Sequence, residues 1–101
     1  MKLSQQQRMH AYRVLIGEAI TAERQRKGMS QQTVADLSGT SRVSISYYEN
    51  ALRAINTEEL FSICDACGFD PYAIISKATN ATQEELEIAY TKYFQRMSKM
   101  R

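Results

Sequence analysis

The chain has 101 residues, 44% of them hydrophobic and 24% charged, with 13 basic and 11 acidic side chains, which is the size and mixture of one domain around a single modest core. No apolar run approaches the roughly 18 residues of a membrane span, and the opening MKLSQQQRMHAYR is polar where a secretory leader would be apolar, so a cytoplasmic protein with no membrane partner is expected. A net charge of +2 excludes a polybasic coat that would bind any polyanion.

With one proline and four glycines and no sustained alternation of apolar and polar residues, the chain reads as all-α. Ser4 with Gln7 fits a capping box. Met9, Tyr12, Leu15, Ile16, Ala19 and Ile20 then follow at helical spacing. Arg26, Lys27 and Gly28 make a C-terminal signature. The first helix therefore spans about residues 5–27, with a flexible arm before Ala11 as the alternative reading. Ser30 caps a second helix, whose buried face is expected at Val34, Ala35 and Leu37 and which Gly39 ends. Ser41 caps a third, with Ile45 and Tyr48 inward and Arg42, Val43, Ser46, Tyr47 and Asn50 outward. Thr57, or Asn56 before it, caps a fourth with Leu60, Phe61, Ile63, Cys64 and Cys67 on its apolar side, and Gly68 stops it. Asp70-Pro71 starts a short fifth helix reaching about Ser76. Thr82 with Glu85 is a second capping box, opening a last helix towards Arg101.

The charge is unevenly spread. Residues 1–28 hold six basic against two acidic side chains, residues 29–78 three against six, and the remainder four against three. A nucleic-acid partner would thus be met by a few aimed cations, and reading of base edges would have to add to the electrostatics.

The second and third helices are short and joined by Leu37-Ser38-Gly39-Thr40. Two such helices make a rigid corner, in which one braces while the other projects its outer face. An α-helix fits the major groove of B-DNA, where base edges are distinguishable. Arg42 can present a bidentate fork to guanine, Ser46 can bond several bases, Val43 can touch a thymine methyl, and Tyr47 offers a hydroxyl and a flat face.

Residues 16–75, with GMSQ at 28, VADLSGTS from 34, ISYYEN at 45 and GFDP at 68 in that order, resemble the phage lambda repressor-like, Cro-type helix-turn-helix family (also called xenobiotic-response-element type). The resemblance implies a five-helix DNA-binding domain at residues 14–78. Residues 1–13 would extend the first helix or form an arm, and residues 79–101 would add an amphipathic C-terminal helix. It implies base reading by Arg42, Val43, Ser46 and Tyr47. It implies contacts to the DNA backbone near Gln31, Ser41, Asn50 and Arg53, with Gln31 also supporting the third helix. It implies an ion pair of Arg24 with Glu49 that ties the first helix to the third. Three positions depart from the family pattern: Ala51 stands where glycine is usual, Ala54-Ile55 replaces a residue-proline pair, and Tyr48 replaces an aliphatic residue.

The expected function is a sequence-specific double-stranded DNA-binding transcriptional regulator, a repressor on a near-palindromic operator, acting as a homodimer. The alternative is a protein-protein interaction module, antitoxin-like or an anti-regulator, that uses its terminal helices on a regulatory protein partner. A chain of this length leaves no room for a separate sensor, so control is expected from concentration, operator affinity or that partner. Leu86, Tyr90, Tyr93, Met97 and Met100 fall 4, 3, 4 and 3 apart, an a/d seam. It is assigned to dimerisation, with folding back onto the first and fifth helices as the competing reading.

No enzyme is expected. The sequence holds neither a Gly-rich phosphate loop nor a metal cluster, and the sole histidine, His10, has no nucleophile partner. Cys64 and Cys67 form one C-x-x-C, but both fall on the inner side of a helix, where cysteine packs as a small hydrophobe. Neither a metal nor a cofactor is assigned.

Overall fold

The computed structural model describes residues 2–100. Among these residues six helices form and no strand: α1 Gln5–Arg26, α2 Gln31–Ser38, α3 Arg42–Glu49, α4 Thr57–Cys67, α5 Pro71–Thr79 and α6 Gln83–Lys99. Each starts at a side chain that accepts a hydrogen bond from a first-turn amide: Ser4, Ser30, Ser41, Asn56, Asp70 and Thr82. The boxes at Ser4/Gln7 and Thr82/Glu85 are closed from both sides, satisfying amides that a helix start leaves orphaned. At the fourth helix Asn56, not Thr57, caps.

α1 runs unbroken from Gln5, so residues 5–13 are helix rather than arm. At 22 residues it is roughly 33 Å long, enough to serve two cores. Its C-terminal half puts Ala19 and Ile20 into the first core, with Val34 and Ala35 of α2, Ile45 of α3, Leu60, Ile63, Cys64 and Cys67 of α4, Phe69 of the following loop and Ile74 of α5. Its N-terminal half puts Ala11 and Val14 into the second, with Leu3, Ala51, and Leu86 and Ala89 of α6.

Two apolar positions lie outside the cores that the sequence reading assigned them. Leu37 is 52% exposed and Phe61 45%. Consecutive helix residues are about 100° apart. Val34 and Ala35 centre the inner face of α2 between them, and Ser38, four residues after Val34, takes the next inward place, its hydroxyl donating to the Val34 carbonyl at 2.7 Å. Phe61, one step beyond the buried Leu60, falls on the edge of α4 for the same reason. α5 also continues past Ser76 to Thr79.

The seam of α6 does not stand free. Leu86 is buried on α1 of the same chain, and Tyr90 and Tyr93 pack at the margin of that core. Tyr93 stacks on His10 with ring centres 4.2 Å apart and planes 5° apart, and Lys92 pairs with Glu18 at 2.8 Å. An apolar stripe satisfies the nearest apolar surface, which here is the N-terminal half of α1. Met97 is half-buried and Met100 is 65% exposed.

Candidate nucleic-acid interface

The corner between α2 and α3 is held by local bonds. Gly39 takes φ 70°, where a side chain would strain the backbone, and the Thr40 amide donates back to the Ala35 carbonyl at 3.0 Å. The Thr40 hydroxyl donates to Glu59 of α4 at 2.7 Å, anchoring the turn to the body of the domain. Ser41 then accepts the Ser44 amide at 3.0 Å and opens α3.

α3 is seated by Ile45, which is fully buried, and by Glu49, a carboxylate only 6% exposed. Arg24 of α1 meets that carboxylate bidentately, Nε to Oε2 at 2.6 Å and Nη2 to Oε1 at 2.9 Å. The same guanidinium donates to the Met29 carbonyl at 3.0 Å, and the Gln31 amide donates to Glu49 Oε1 at 3.0 Å. One carboxylate thus joins the end of α1, the start of α2 and the end of α3. The hydrogen bond from Arg24 to Glu49 also raises the arginine pKa above its ordinary value.

The exit from α3 carries two backbone features. Ala51 adopts φ 60° where the family pattern has glycine. Left-handed backbone costs an L-residue about 1–2 kcal/mol, and the fully buried methyl of Ala51, set against Leu86 and Ala89, offsets part of this. Arg96 of α6 donates to the Asn50 carbonyl at 2.9 Å, so the last helix also holds the end of α3. Gly17 of α1 lies directly under this end, and a methyl built there would stand 2.7 Å from the Glu49 carbonyl oxygen and closer still to that of Tyr48.

With Ile45, Tyr48 and Glu49 turned inward, Arg42, Ser46, Asn50, Val43 and Tyr47 occupy one arc of about 140° on α3. Val43 is 48% and Tyr47 38% exposed. Arg42 is exposed and has no hydrogen-bond or ion-pair partner among the described residues. Asn50 donates from its side chain to the Ser46 carbonyl at 2.9 Å, with the Ser46 hydroxyl at 3.4 Å. Arg53 folds back over the helix, donating to the Ser44 hydroxyl at 3.2 Å and lying 5.1 Å from the centre of the Tyr47 ring, a cation-π contact. It lies 6.0 Å from the Tyr48 ring.

Some of these contacts leave no mark on sequence spacing. Gln31 and Met29 converge on Arg24 and Glu49, Thr40 reaches Glu59, and Arg96 reaches Asn50. All depend on how helices cross, and no local pattern codes for that. Cys64 and Cys67 are both buried and free, and burial pushes the Cys64 thiol up to about 11. That disfavours the thiolate on which metal and redox chemistry depends.

A short outward helix, seated on a brace helix through a tight turn and locked from behind by a buried ion pair, defines an all-α helix-turn-helix protein. Residues 20–74 match the model of a helix-turn-helix family. The chain belongs to that family, the lambda repressor-like helix-turn-helix proteins, and is a DNA-binding regulator of that class. Comparison with curated proteins gives no match. No helix among the described residues is long and apolar enough to cross a membrane.

Proposed function

We propose that the protein is a transcriptional repressor that reads a near-palindromic operator as a homodimer, with α3 in the major groove. The observation that carries this reading is Arg42, an exposed guanidinium with no partner among the described residues, on the same arc as Val43, Ser46 and Tyr47. A fork that no carboxylate occupies is free for the O6/N7 pair of guanine. Gln31 gives one amide hydrogen to Glu49 and keeps a second for a phosphate. Ser41 and Arg53 beside the arc, and Asn50 on it, are assigned to the sugar-phosphate chain. Half-site centres would lie about one turn, roughly 34 Å, or a multiple of it apart.

The second copy would meet the part of α6 that α1 leaves open. Phe94 and Met100 are 58% and 65% exposed, with Tyr90 and Met97 beside them. The same exposed residues favour the second reading, an interaction module whose α6 binds a regulatory protein. Selection of duplexes from a random pool, followed by titration between 50 and 200 mM salt (about the span over which phosphate contacts are felt), separates the two. A repressor enriches one two-fold-related sequence and holds it about a thousandfold or more over unrelated DNA at each salt concentration. An interaction module enriches none.

A further inference from the structure

Beside α3, between the N-terminal half of α1, the loop after α3, and helices α4 and α5, lies a groove of about 460 Å³. Its walls are mainly apolar, with Tyr12, Ile16, Tyr48 and Leu60 among them, and no carboxylate lines it. Its charged residues are Arg13 and Arg53, neither of which has an ion-pair partner among the described residues. The volume is that of a small-molecule site, and apolar walls with a few convergent polar groups are what such sites share.

We propose that this groove binds a small apolar carboxylate, its hydrocarbon body on the apolar wall and its anionic group between Arg13 and Arg53. Two guanidiniums in a groove that no carboxylate lines favour an anion and repel a cation, and the fork of each matches a carboxylate bidentately. The site also touches the DNA-facing helix. Arg53 now donates to Ser44 and overlies Tyr47. A carboxylate is a stronger acceptor than a hydroxyl, so occupancy draws Arg53 off α3. On the reading of α3 proposed above, on which this part rests, bound carboxylate and bound operator weaken each other by the same factor.

The test begins without DNA, so that it stands or falls apart from the operator reading. Decanoate, below its micelle concentration, is titrated into the full chain while the Ile16 and Ile75 methyl resonances are followed. Saturable shifts are expected. Decyltrimethylammonium, of equal chain length and opposite charge, should bind about tenfold or more weakly. Arg13→Gln should cost decanoate about tenfold, and Arg13→Lys should recover part of that, which separates lost charge from lost fold. The site is overturned by the absence of saturation, by equal binding of the two amphiphiles, or by shifts that track protein concentration, which would make a second copy the occupant. In a second arm, decanoate should release a selected duplex, and unchanged duplex affinity at saturating decanoate overturns the coupling while the site stands.

Discussion

Glu49 is the one charged side chain buried among the described residues, and three donors converge on it: two from Arg24 and one from Gln31. Burying the pair gains little net stability, because desolvation opposes the attraction. What it supplies is direction, since only one crossing of α1, α2 and α3 satisfies all three donors. On the opposite face Arg42 has no hydrogen-bond or ion-pair partner among the described residues. Arg42→Ala should therefore leave stability within about 0.5 kcal/mol. It should cost operator binding about 1–3 kcal/mol and relax preference at one base position. Equal loss on every duplex in a competition assay would make Arg42 a phosphate contact instead. Gly17 shows a residue that spacing could not single out. Overpacking costs about 1–3 kcal/mol, and alanine in mid-helix returns up to about 1 kcal/mol. The atoms in the way are backbone oxygens of α3, which cannot turn aside as a side chain does. Gly17→Ala should destabilise by about 2 kcal/mol in denaturant unfolding, and a neutral or stabilising result would show that α3 rides freely over α1.

At the scale of elements, helix starts were legible in the residues because capping is local chemistry: Ser30 and Ser41 announce themselves by type, Asp70 by the proline that follows it, and Ser4 and Thr82 also by the Gln7 and Glu85 that stand three residues on. Faces were legible only where the apolar set was unambiguous, and Leu37 and Phe61 show the limit, since each sits a step off the helix midline. The last helix was less legible still. Its 4-3-4-3 stripe suits a second copy and the flank of α1 equally, because both offer apolar surface to the same periodicity. With Leu86 and Ala89 in the second core and Arg96 on the Asn50 carbonyl, removal of α6 would uncover Leu3, Val14 and Ala51 and unfold the very region under α3. Truncation therefore cannot isolate assembly. Phe94, 58% exposed, can. Phe94→Glu should change stability by no more than about 0.5 kcal/mol and shift sedimentation towards the monomer. A variant that sediments as a full dimer removes α6 from the proposed interface.

For the whole molecule, the arrangement is two cores strung on one long helix, and its stability has a titratable seam between α1 and α6. His10 stacks on Tyr93 with its Nδ1 buried and unpartnered. Burial first, and Arg13 second, lower its pKa from 6.5. The unfolded chain then takes up this proton at a higher pH than the folded one, so stability is full above about pH 6.5 and declines as pH falls through the folded value. Glu23 and Glu85, lowered from 4.5, lose their contribution in the same direction but only at more acid pH. His10→Phe keeps a ring against Tyr93 and removes the proton site. Its thermal midpoint should fall less than that of the parent as pH drops below about 6.5, the free-histidine value. Equal slopes there would place the acid sensitivity elsewhere.

By itself the sequence determined the all-α class, six helix starts to within a residue, and which side of the third helix faces outward, because capping and periodicity act over three or four neighbours. It could point to Arg24 with Glu49 only by resemblance, since 25 residues of chain separate them. The tertiary structure decided that α6 closes onto α1, that Gly17 and Ala51 admit the end of α3, and that Arg53 lies between a groove and the outward arc of α3. Each of these is a meeting of surfaces far apart in the chain, set by how helices cross rather than by how any one of them is written.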